Sequence, residues 1–132
     1  MYSKILGTGS YFPNKILTNK DLEKIVDTTD EWITSRSGIK ERRISDGNST
    51  TDLGYNAALK AIDMAGIEKE SIDGIVCASI TQDTIMPPTS CELQARLGLS
   101  GKTLAFDVIA ACSGFIPAPT SIATFSFVEY SK

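Results

Sequence analysis

The chain has 132 residues, 42% of them hydrophobic and 22% charged, with a net charge of −3. That is normal for one soluble globular domain, and it offers no basic excess for nucleic acid, which normally shows as a cationic face. No histidine occurs and the three cysteines, Cys77, Cys91 and Cys112, stand far apart, so neither a metal site nor a disulfide framework is expected. The N-terminus lacks the apolar run of a secretory signal and no stretch reaches membrane-spanning length, so a cytoplasmic protein without a membrane partner is expected.

Ser3 to Phe12, with Gly7 and Gly9, reads as a strand leaving into the turn at Pro13-Asn14, the glycines suiting close backbone packing. Thr18 to Asp21 looks like a helix start, with Leu22, Ile25 and Val26 on one face. Thr28-Thr-Asp-Glu31 fits a capping box with Thr28 at the cap, opening a second short helix that Gly38 closes. From Ile39 to Asp46 the chain is polar and basic and reads as a loop. Asp52 to Ala65 is the clearest helix, with Leu53, Ala57, Ala58, Ala61, Ile62 and Ala65 in one stripe whose alanines suggest close packing. Ile75 to Ile80 is an apolar run without alternation, as in a strand covered on both faces. Pro87-Pro88 breaks the chain before a helix from Cys91 to Leu97 closed by Gly98, and Thr103 to Ile109 is a further strand. This alternation predicts an α/β layered fold with a mixed or parallel sheet covered by helices.

Three residues carry candidate chemistry. Cys112 follows a strand pattern and precedes Ser-Gly, where a strand-to-helix turn presents a thiol to unpaired backbone amides that favour the thiolate. Trp32 and Arg36 stand four apart on a predicted helix and so share a face. The plain alternatives are a buried cysteine, a packed tryptophan and a solvated arginine; Cys77 and Cys91 read as inert packed thiols. Lys40, Arg42 and Arg43 suit phosphates or an acidic partner, Lys40 and Arg43 reading more simply as solvated.

The chain resembles the amino-terminal half of the β-ketoacyl-acyl-carrier-protein synthase III family. The resemblance is carried by Gly7 to Pro13, by Thr28 to Ile33 with Arg36-x-Gly-Ile-x-x-Arg42, and by the segment Phe106 to Phe115. It implies a thiolase-like fold of two similar α/β halves, of which this chain supplies one, in a protein that is usually a homodimer. It implies Cys112 as the nucleophile that takes an acyl group from acyl-coenzyme A, before a decarboxylated malonyl group on acyl carrier protein attacks the thioester. Coenzyme A enters as substrate and no resident cofactor is implied. The resemblance further implies that Trp32 stacks on the adenine of coenzyme A with Arg36 and Thr28 beside it, and that Met86 borders the acyl pocket.

The family's catalytic histidine and asparagine belong to its second half and have no counterpart here. The resemblance runs over 1–115, and 116–132 reads as a divergent tail of a truncated or frame-shifted chain, since Pro117 and Pro119 oppose the helix expected there. Three functions stay open: a condensing acyltransferase of fatty-acid initiation, inactive as this isolated chain; a related polyketide or hydroxymethylglutaryl-type synthase; and a noncatalytic piece that binds coenzyme A or a partner chain.

Overall fold

The computed structural model describes residues 4–99 and 101–120. The chain forms two compact units, one of Phe12–Ser49 and one joining the residues before Phe12 to those from Thr50 onward.

In the first unit, β1 (Lys15–Thr18) leads into a single helical turn, α1 (Asn19–Leu22), followed by α2 (Asp30–Ser37) and β2 (Glu41–Ile44). Thr18 caps α1 with a complete capping box: Asp21 N–H donates to Thr18 Oγ1 and Thr18 N–H donates to the Asp21 carboxylate, each at 3.2 Å. The helix stops after Leu22, so Ile25 and Val26 do not share a buried face with it and are exposed. The cap of α2 is Thr29, not Thr28: Trp32 N–H donates to Thr29 Oγ1 at 3.1 Å. Glu23 accepts from Asp30 N–H at 2.6 Å, occupying a donor that a cap at Thr28 would have served. Gly38 ends α2 in the left-handed conformation, φ 71°, as expected.

The basic run read as a loop is a strand. β2 pairs antiparallel with β1, Lys15 opposite Ile44 and Thr18 opposite Glu41. Its period of two was concealed because a charged residue, Arg42, holds one of the half-buried positions. The reason is Asn19, which is buried and joins three elements. Its Nδ2 donates to Asp30 Oδ1 at 2.6 Å and to the Ile39 carbonyl at 2.7 Å, its N–H donates to the Lys40 carbonyl at 3.2 Å, and its Oδ1 accepts from the Arg42 guanidinium.

The second unit contains α3 (Thr50–Ala65), a 3-10 turn (Lys69–Ser71), β3 (Gly74–Ala78), α4 (Thr89–Leu97), β4 (Leu104–Val108) and a second 3-10 turn (Ala111–Ser113). β3 and β4 pair in parallel, Gly74 opposite Leu104 and Ala78 opposite Val108, with α4 as the crossover. Both long helices begin two residues earlier than the sequence suggests, because each is capped from outside itself. Asp83 accepts from the Thr50 and Thr51 amides at 2.8 Å each, and Asp107 of β4 accepts from the Thr89 and Ser90 amides at 2.9 Å each. A carboxylate there satisfies orphan donors and opposes the positive end of the helix dipole.

The strand expected over Ser3 to Phe12 is absent from Lys4 to Phe12, and Ser3 lies outside the described residues. Gly7 and Gly9 instead lie against the alanine stripe of α3. A Cβ on Gly7 would stand 2.5 Å from the Ala61 carbonyl and 2.7 Å from the Ala65 nitrogen, and one on Gly9 would meet Ala57 and Ala61 backbone atoms. The glycines do serve close approach, but to a helix instead of a neighbouring strand. Residues 117–120 are helical despite Pro117 and Pro119, because prolines in a first turn give up only amides that have no intrahelical acceptor. The remainder of the expected divergent tail, 121–132, lies outside the described residues.

Among the described residues the buried apolar side chains are few: Ile33 in the first unit, Leu93 and Leu97 in the second. Ile80, Ile85, Met86, Ile109, Phe115 and Ile116, all beyond the C-terminal ends of β3 and β4, are exposed.

Candidate active site

Parallel strands present their C-terminal ends to ligands, because the loops that leave them are free of the sheet ladder. β4 ends at Val108, and within four residues the chain folds into the turn that carries Cys112. Ala111 adopts φ 44°, uncommon for a residue with a side chain. Ser113 N–H donates to the Ala110 carbonyl at 3.0 Å and Gly114 N–H to the Ala111 carbonyl at 3.1 Å, closing the turn around the thiol. Gly114 is buried against the end of β3, where an added Cβ would stand 3.0 Å from Ala78 Cβ. Cys112 is exposed, where the plain alternative expects a buried cysteine.

The other two thiols differ. Cys77 is half-buried in β3, opposite Asp107, and burial, aided by the Asp107 and Asp83 carboxylates, pushes its thiol up. Cys91 is half-buried on α4, its Sγ 4.0 Å from the Ala105 carbonyl. Both fit inert packing. Asp107 and Asp83 therefore have two effects: they anchor helix starts and they add to the burial that pushes the Cys77 thiol up.

In the other unit, Trp32 and Arg36 share the outer face of α2, as their spacing requires. The indole is 56% exposed, too open for a core anchor, and the Arg36 guanidinium carbon sits 4.9 Å from its centroid. Beside the indole lies a depression of ≈ 270 Å³ lined by Asp27, Thr28, Thr29 and Trp32. Thr28 thus borders this hollow although it does not cap the helix. Arg42, a candidate phosphate contact from sequence, is committed to Asn19. Met86 is 80% exposed, two residues before the Pro88 that precedes α4.

Sequence reasoning missed Asn19, Asp83 and Asp107 as organisers of this geometry. A buried asparagine and two carboxylates that cap helices from a distance leave no local periodicity to detect.

No protein-family model matches the chain. It is, however, 58% identical over 119 residues, 89% of its length, to β-ketoacyl-acyl-carrier-protein synthase III of Xanthomonas campestris. Over this span the chain is a homologue of β-ketoacyl-acyl-carrier-protein synthase III. The synthase III 1 of Vibrio vulnificus is 56% identical over the same length, and the chain spans only about 37% of that relative. Among solved structures, the synthase III of Aquifex aeolicus superposes with a TM-score of 0.89 at 49% identity, over 93% of this chain and 40% of that one. The thiolase-like fold, represented here in part, is the one read from the sequence.

Proposed function

We propose that this chain carries the acyl-accepting cysteine and part of the coenzyme A site of a condensing acyltransferase that starts fatty-acid synthesis. The supporting observation is Cys112: the exposed thiol among three, held on a tight turn at the C-terminal ends of parallel strands, within a synthase III homologue. Its sulfur attacks the thioester carbonyl of acyl-coenzyme A, a carbon–sulfur bond forms to Cys112, and coenzyme A leaves as its thiolate and takes up a proton. The thioester supplies the activation, so the step uses no resident cofactor. Trp32, Arg36 and Thr28 are the proposed grip on the nucleotide, the indole offering a stacking face and the guanidinium a charge for phosphate. Met86 and its exposed apolar neighbours are the proposed surroundings of the acyl chain.

Malonyl-acyl carrier protein is the proposed second substrate, and a homodimer in the cytoplasm the proposed setting. Decarboxylative condensation needs a group to polarise the malonyl thioester carbonyl, and the 132 residues contain no histidine for it. Acylation without condensation is therefore the activity expected of this chain alone.

Intact-mass analysis after incubation with acetyl-coenzyme A tests the reading. An acetyl adduct that disappears in Cys112→Ala supports it; saturable coenzyme A binding without an adduct replaces it with a noncatalytic binding role. A second reading is favoured by the priming β-ketosynthase of a polyketide pathway, which superposes with a TM-score of 0.81 at 34% identity.

A further inference from the structure

We infer that the contact between Gly114 and Ala78 is a positioning device that sets where Cys112 stands above the sheet. The inference rests on the proposed role of Cys112 and concerns how the thiol is aimed. Ala78 is the last residue of β3 and lies opposite Val108, the last residue of β4. From Val108 the chain must rise, present Cys112 and return, and it returns at Gly114, which is buried while Ala111, Cys112 and Ser113 are exposed. A Cβ on Gly114 would stand 3.0 Å from Ala78 Cβ and 3.3 Å from the Ala111 carbonyl oxygen. The left-handed kink at Ala111 supplies the reversal, and the Gly114 N–H bond to the Ala111 carbonyl at 3.1 Å locks its far side.

The turn therefore lies close to β3 at Ala78, with tight clearance for a single added carbon. Its height is fixed by two small residues far apart in sequence. A methyl group on Gly114 is expected to lift the turn by a few tenths of an ångström, because the opposing atoms are a short side chain on a paired strand and a carbonyl within the turn itself. Lifting displaces Cys112 from the position in which it meets a thioester, and displacement on that scale is costly for reactions that depend on alignment.

The experiment uses the full chain and four forms: wild type, Gly114→Ala, Ala78→Gly and the double variant. Each is reacted with acetyl-coenzyme A and, separately, with iodoacetamide, and adducts on Cys112, Cys77 and Cys91 are resolved by peptide mass spectrometry. Acetylation of Cys112 is expected to slow by about tenfold or more in Gly114→Ala. It should recover to within about threefold of wild type in the double variant, where the opposing Cβ is gone. Iodoacetamide labelling of Cys77 should stay slow throughout, showing that the strands remain paired. A folded Gly114→Ala that acetylates at the wild-type rate overturns the inference, as does a double variant as slow as the single one.

If the wild type takes no acetyl group, the acyl-transfer reading fails by itself. The positioning claim is then judged by Cys112 alkylation, whose rate must change in Gly114→Ala and return toward wild type in the double variant, and an unchanged rate overturns it.

Discussion

The guanidinium carbon of Arg36 stands 4.9 Å from the centroid of the Trp32 indole, on a helix face that leaves the ring 56% exposed. An aromatic plate held by a cation and open on one side suits stacking of a flat base, and hardly serves packing. Trp32→Ala should weaken coenzyme A binding by about 1–3 kcal/mol, roughly five- to 150-fold, and Arg36→Ala by less, with little change in thermal stability. Isothermal titration calorimetry measures both; equal affinity in Trp32→Ala would remove Trp32 from the site.

Asp107 ties β4 to the start of α4 through two amides. Asp107→Ala leaves both donors without that acceptor and should cost about 1–2 kcal/mol in denaturant unfolding. It should also ease alkylation of Cys77, whose thiol the carboxylate helps to hold protonated. Unchanged stability would show that water replaces the cap at no cost.

Gly9→Ala places a methyl group against the backbone of α3 at Ala57 and Ala61, which cannot yield without moving the helix. A loss of about 1–3 kcal/mol is expected. Gly101→Ala meets nothing within 4 Å and should stay within about 0.5 kcal/mol of wild type. Comparable melting of the two variants would mean that the segment before Phe12 does not pack on α3 in solution.

Asp21 is held down to about 2 from the ordinary 3.8, first by the Lys24 ammonium at 2.9 Å and then by the Thr18 hydroxyl and amide. A carboxyl depressed in the folded state stabilises fully above 3.8, and that contribution is lost as pH falls through about 2. The unit of Phe12–Ser49 should therefore lose this support between pH 4 and 2 in wild type but not in Asp21→Asn, which lacks it at every pH. Trp32, the single tryptophan, reports the transition by fluorescence. Identical acid profiles would rule out a stabilising role for the Asp21 charge.

Local signals in the sequence located the helices, since stripes and terminal glycines act within a few residues. Gly38 and Gly98 both take the left-handed cap conformation their positions required. Strands fared less well. The Gly7 region has strand-like composition but meets a helix, and β2 hides its alternation behind Arg42, whose inward partner Asn19 lies 23 residues away. The spacing of Thr28 and Glu31 favours Thr28 as the cap in sequence, yet Thr29 caps α2 by accepting from Trp32 N–H while Glu23 takes the Asp30 amide.

By itself the sequence determined the kinship, the α/β class and the identity of the candidate nucleophile, because these reside in residue type and short-range spacing. The tertiary structure decided which thiol is open, that the indole faces outward, where α3 and α4 begin and how the Cys112 turn is seated. The helix starts and the seating of the turn depend on contacts between residues distant along the chain, such as Asp83 with Thr51 or Ala78 with Gly114. Steric fit and hydrogen-bond satisfaction at such contacts act only once the chain has folded, so no local pattern encodes them.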